Sequence, residues 1–157
     1  MKYKVLGSFI GRVPAGEYYF GDPCYLYQGK ELDRKWSEIV DRMFVEGWTI
    51  DGTSGMADFA PTVSSVPALF VQDDIGWFVA ACTRYGDGVF SVARREVGVD
   101  SGTLALISSG FTDRIKTHKL EDCFAKVKLG CDIVRVTNGD WQIKNKLFCR
   151  TSDGEDE

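Results

Sequence analysis

The chain has 157 residues, a length that suits one domain with a substantial core. Hydrophobic residues make up 44%, charged residues 27% and aromatics 13%, which excludes a disordered chain, and no apolar run is long enough to span a bilayer as a helix. The net charge of −4 is that of the acidic tail Asp153-Gly154-Glu155-Asp156-Glu157, while residues 1–110 carry a net −4 and residues 111–152 a net +4. That basic part is too sparse for duplex nucleic acid, and reads either as a solvated face pairing with the acidic part or as a contact for an anion.

Val5 to Ile10 reads as a first strand, Pro14-Ala15-Gly16 as a turn, and Glu17 to Phe20 as a second strand, with Cys24 to Tyr27 extending beyond it. Leu32, Trp36, Ile39, Val40, Met43 and Phe44 form one apolar face of a helix spanning Glu31 to Glu46, with Gly47 as its C-terminal stop. Residues 51–67 read as an irregular connection. Ala68–Val71 and Gly76–Cys82 flank a hairpin turn at Asp73-Asp74-Ile75. Val89–Arg94, Glu96–Val99 and Thr103–Ile107 continue the strands, and Leu120–Leu129 is expected as a short second helix. Asn138-Gly139-Asp140 is the strongest turn, because Asn and Gly tolerate positive φ; it joins Cys131–Thr137 to Trp141–Lys144, and Lys146–Arg150 closes the fold.

Tight turns between strands imply antiparallel pairing. The expected fold class is therefore α+β: a mostly antiparallel sheet or sandwich of about eight to ten strands with one amphipathic helix packed on it. One β-rich domain is expected over residues 1–152, followed by a disordered acidic tail at 153–157.

Five cysteines, an odd number with no CxxC pair, and an N-terminus with no secretory pattern imply reduced thiols and a cytoplasmic protein. Cys82, Cys131 and Cys149 read as small buried hydrophobes in strands.

Three acid–glycine motifs sit where strands turn: Gly21-Asp22-Pro23-Cys24-Tyr25, Tyr85-Gly86-Asp87-Gly88 and Val99-Asp100-Ser101-Gly102. If these turns meet, Asp22, Cys24, Tyr25, Arg84, Tyr85, Asp87, Asp100 and Ser101 surround one ligand-binding site. Glycines around Asp87 let backbone N–H groups cradle an anion, Arg84 suits a phosphate or carboxylate, and Tyr85 suits stacking. Each motif has a plainer reading beside this one, since Asp-Pro and Asp-Gly are turn formers in their own right. Catalytic residues are not identified. Ser101 and Cys24 are candidate nucleophiles only with a base, and the sole histidine, His118, lies in no signature. The cysteine spacing gives no zinc set, and Asp22, Asp87 and Asp100 remain candidates for Mg²⁺ or Ca²⁺ ligation without a loop pattern to support it. No cofactor is expected.

These residues carry a resemblance. The Gly-Asp-Pro-Cys-Tyr stretch at 21–25, Tyr-Gly-Asp-Gly at 85–88 and Val-Asp-Ser-Gly at 99–102, with a tryptophan-bearing helix around Trp36, resemble a group of small, mostly uncharacterised phage and bacterial proteins. The resemblance covers about the first 110 residues and implies a phage or prophage origin and a β-rich fold, with no established activity. In that setting the expected function is a non-enzymatic module binding a small polar or anionic ligand, such as a nucleotide signal of host defence sequestered in the host cytoplasm. The alternatives are a protein-interaction inhibitor of a host protein and a carboxylate- or metal-dependent hydrolase. A homodimer is expected, as the commonest soluble assembly, and no duplex nucleic acid or membrane partner.

Overall fold

The computed structural model describes residues 2–5, 8–43, 58–62, 68–92, 94–137 and 139–151. Its elements in chain order are β1 (Lys2–Val5), β2 (Ser8–Arg12), β3 (Gly16–Gly21), α1 (Lys30–Met43), β4 (Asp58–Thr62), β5 (Ala68–Gln72), β6 (Trp77–Cys82), β7 (Gly88–Val92), β8 (Arg95–Val99), β9 (Thr103–Ser108), α2 (Thr112–Thr117), β10 (Phe124–Leu129), β11 (Ile133–Thr137), β12 (Asp140–Ile143) and β13 (Lys146–Cys149). Three short 3₁₀ turns stand at Pro23–Leu26, Ser109–Phe111 and Glu121–Cys123. The fold is α+β and β-rich, and every pairing among the described strands is antiparallel. Its thirteen described strands exceed the eight to ten expected from the sequence.

The strands form a six-stranded sheet, β1-β5-β6-β9-β3-β10, a five-stranded sheet, β13-β12-β11-β2-β4, and the β7–β8 hairpin. The six-stranded sheet is covered on both faces. Ala68, Phe70, Trp77, Val79, Leu104 and Leu106 share a core with Phe9, Val134, Val136 and Trp141 of the five-stranded sheet and with Phe90 and Val97 of the hairpin. The alternate residues Leu69, Val71, Phe78, Ala80, Ala105 and Ile107 pack instead under Leu26, Tyr27, Ile39, Phe111 and Ile115 of the helical layer. Two-sided burial is why β5, β6 and β9 read as unbroken apolar runs, whereas β11 alternates exposed and buried residues. No described helix is long and apolar enough to cross a membrane.

Several local expectations change. The single strand at Val5–Ile10 is two strands, β1 and β2, in different sheets. Cys24–Leu26 belongs to a 3₁₀ turn rather than an extended segment, because Pro23 sets φ and Asp22 caps the turn. The helix expected at Leu120–Leu129 is instead a 3₁₀ turn followed by β10, in which Ala125, Val127 and Leu129 are buried and Lys126 and Lys128 exposed, a period of two. The second helix is α2, earlier in the chain. Within the connection at 51–67, residues 58–62 are a strand, and the remainder lies outside the described residues. So do the end of the first helix beyond Met43 and the tail at 152–157. All five cysteines are free; Cys149 is buried, Cys82 half-buried, and Cys131 exposed at a bend after β10 rather than inside a strand.

Candidate functional site

Asp22 leaves β3 in extended geometry, with φ −77° and ψ 117°, and caps the turn that Pro23 begins. Its side chain is fully buried. Oδ1 accepts the Cys24 N–H at 2.9 Å and the Ser101 hydroxyl at 2.6 Å. Oδ2 accepts the backbone N–H groups of Asp100 at 2.7 Å and Ser101 at 2.8 Å. Four donors occupy the capacity of one carboxylate. The first and third motifs are therefore bonded to each other directly, across nearly eighty residues of sequence. Since the Ser101 hydroxyl gives its hydrogen to Asp22, Thr103 is the donor in the 2.6 Å contact between Ser101 and Thr103. Tyr25 extends the cluster outward, and its hydroxyl donates to Asp100 Oδ2 at 2.5 Å.

The second motif lies alongside. The Thr83 N–H donates to the Gly102 carbonyl at 2.8 Å, tying the β6–β7 connection to the β8–β9 turn. Thr83 Oγ1 accepts the Gly86 N–H and donates to the Gly86 carbonyl, closing a loop that Gly86, at φ +97°, can adopt without strain. Asp87 Oδ1 stands 3.7 Å from where a side chain on Gly102 would begin. Thr151 pins the loop from behind: it accepts the Tyr85 N–H at its carbonyl, 2.8 Å, and the Arg84 N–H at its hydroxyl, 3.2 Å. The Tyr85 ring meets Phe90 edge-on with centroids 6.2 Å apart.

All three motifs thus share one corner of the molecule, but not on equal terms. Arg84, Tyr85, Asp87 and Asp100 are exposed, Cys24, Tyr25 and Ser101 half-buried, and Asp22 is spent on the framework. Burial is the main cause that pushes the Cys24 thiol far up, and the charge and hydrogen bond of Asp22 add to it. Burial and the bond to Asp100 likewise keep Tyr25 protonated, and Cys123 is raised by burial and by neighbouring carboxylates. The local field is negative. A thiol held neutral is a poor nucleophile. His118 caps the C-terminus of α2 at the surface. Among the described residues no three His, Cys, Asp or Glu side chains are placed to hold a metal ion, so Asp22, Asp87 and Asp100 do not form an oxygen cage.

Sequence reasoning missed Thr83, Thr103 and Thr151, whose hydroxyls organise the corner; threonine carries no signal apart from its neighbours. It also missed a buried cluster under α1. There Tyr27 donates to Asp73 at 3.0 Å, Lys35 stands 3.7 Å from the same carboxylate, and the Arg114 guanidinium lies 5.4 Å from the centre of the Tyr27 ring.

Comparison with protein-family models, with curated proteins and with solved structures finds no match.

Proposed function

We propose that this chain is a non-enzymatic binding module, of the phage type its motifs resemble, that takes a small polar ligand at the corner formed by Tyr25, Asp100, Arg84, Tyr85 and Asp87. The observation that carries this reading is the Asp22 staple. A fully buried carboxylate fixes the Asp100–Ser101 turn and so presents the Tyr25–Asp100 pair in one geometry at the surface. Preorganised polar groups of this kind lower the ordering cost of binding. Asp22, Cys24 and Ser101 act as the frame, and the exposed residues make the contacts. Asp87 and Asp100 favour a ligand that brings them hydrogen-bond donors, while Arg84 supplies positive charge for an anionic group. A nucleotide signal would place its phosphate against Arg84, its base against Tyr85 and its donors toward the carboxylates. Sequestration of such a signal is the concrete form this reading takes in a phage setting.

Thermal melting against nucleotides, cyclic nucleotides, sugars and polyamines tests it. A ligand at about one hundred times its dissociation constant adds about 2.7 kcal/mol, which for a domain of this size is a shift of about 5–11 °C. The shift is expected to be lost in Tyr25→Phe and Asp87→Asn. No shift with any compound, or a shift both variants retain, overturns the reading.

A second reading, a module that docks on a host protein, is supported by a different surface. On the outward face of the five-stranded sheet Leu147, Gln142, Arg135 and Ile10 form one lateral row, and Leu147 is 51% exposed. Leu147→Asp abolishes binding in that case and leaves the corner's ligand response intact.

A further inference from the structure

Tyr18, Ser108 and Trp77 lie side by side on the inner face of the six-stranded sheet. Tyr18 is paired with Ser108 across β3 and β9, and one step beyond the Phe78–Ile107 pair brings Trp77 level with Ser108. A serine between two aromatic residues leaves a notch at the end of the sandwich. The notch is a partly open cavity of about 130 Å³, lined by Tyr18, Ser108, Trp77, Ser109, Glu17 and the Pro14–Gly16 turn. The Tyr18 and Trp77 rings meet at 5.8 Å and 60°, and Phe70 stacks behind Trp77, so the walls are held by packing.

The floor is polar. Ser108 is 7% exposed and its hydroxyl oxygen accepts the Trp77 backbone N–H at 2.9 Å. No described residue accepts the hydroxyl hydrogen of Ser108. Tyr18 donates its own hydrogen to the Pro14 carbonyl and keeps acceptor capacity on its oxygen. A buried donor beside a cavity calls for an acceptor. The lining brings no charged side chain from the inner face of the sheet, since Glu17 and its partner Lys126 lie on the opposite face with Tyr19.

We propose that the Tyr18–Ser108–Trp77 notch is a binding site for a compact uncharged molecule of the amide or amino-alcohol class. Its acceptor faces the Ser108 hydroxyl, its apolar atoms lie against the two rings, and its donor meets the acceptor capacity left on the Tyr18 hydroxyl oxygen. The site shares no residue with the corner of the acid–glycine motifs, so it stands or falls separately from the function proposed there.

The test is a fragment soak of crystals with acetamide, propionamide, ethanolamine and isopropanol, paired with NMR titration of the same compounds against the intact chain. An amide bound in the notch with its carbonyl on Ser108, and shifts confined to Trp77, Ser108, Ser109 and Tyr18, is the expected result. Ser108→Ala weakens binding about two- to tenfold, the value of one neutral hydrogen bond. Ser108→Thr keeps the acceptor for Trp77, retains a cooperative melt, and loses binding because its methyl takes up the notch. Water alone in the notch, shifts spread over the surface, or undiminished binding in the folded Ser108→Thr variant each overturn the proposal.

Discussion

Asp22→Ala is expected to destabilise the protein by about 3–5 kcal/mol, the range for breaking a buried charged network. Three backbone N–H groups, those of Cys24, Asp100 and Ser101, lose their acceptor inside a fully buried site. Each costs about 1–3 kcal/mol if nothing replaces the carboxylate, and water entering the vacated volume recovers part of that. Asp22→Asn separates charge and shape. Its better orientation turns the NH₂ toward the Oδ1 position, where Ser101 can rotate to accept and only the Cys24 N–H is opposed. A cost of about 2 kcal/mol follows. Urea unfolding at pH 7 measures both, and melting should fall by about 6–20 °C for the alanine variant. Alanine and asparagine variants both within 0.5 kcal/mol of the parent, outside the expected ranges, would refute the claim that this carboxylate holds the motifs together.

Other consequences are as direct. Gly110→Ala drives a methyl group into the Ile75 carbonyl, with Gly76 Cα 2.9 Å away, and since both obstacles are backbone it should cost about 3 kcal/mol; a loss below 1 kcal/mol would show that this turn can move. Trp141 carries a buried indole N–H with no partner among the described residues, packed edge-on against Phe9 and Phe20. Trp141→Phe removes that unmet donor while opening a small cavity, so the net change should stay within about 1 kcal/mol, against the 3–5 kcal/mol usual for deleting a buried tryptophan side chain. Burial pushes Cys82 to about 11 and, with Asp140, Cys149 to about 12. The neutral thiol is the folded form, so stability is complete below about pH 8.5, where unfolded thiols begin to ionise, and falls as pH rises toward those values. The buried Cys149 alone contributes on the order of 1 kcal/mol per pH unit over that interval. Urea midpoints at pH 8, 9 and 10 under reductant check this, and a flat or rising series contradicts it.

The β-rich class was legible because it depends on local chemistry. Turn residues at Asp73-Asp74 and Gly139, alternation along Ile133–Thr137 and the apolar stripe of α1 each declare an element within a few positions. The motif residues were legible too, because acids beside glycine or proline stand out. Their division of labour was not. Nothing near Asp22 in the chain says that its partners are the N–H groups of Asp100 and Ser101, or that Thr151 completes the loop at Tyr85. The assignment of β1 and β2 to different sheets was hidden for the same reason, since Val5–Ile10 has one continuous strand pattern and only pairing with β5 and β11 separates the two strands.

By itself the sequence determined the menu: antiparallel strands, an amphipathic helix, tight turns with carboxylates at their tips. Tertiary structure decided which carboxylate is buried and which meets solvent, and so which can be offered to a ligand. The physical reason is that a buried charge persists only where donors converge on it, and convergence from positions far apart in the chain is a property of the folded packing that no local stretch encodes.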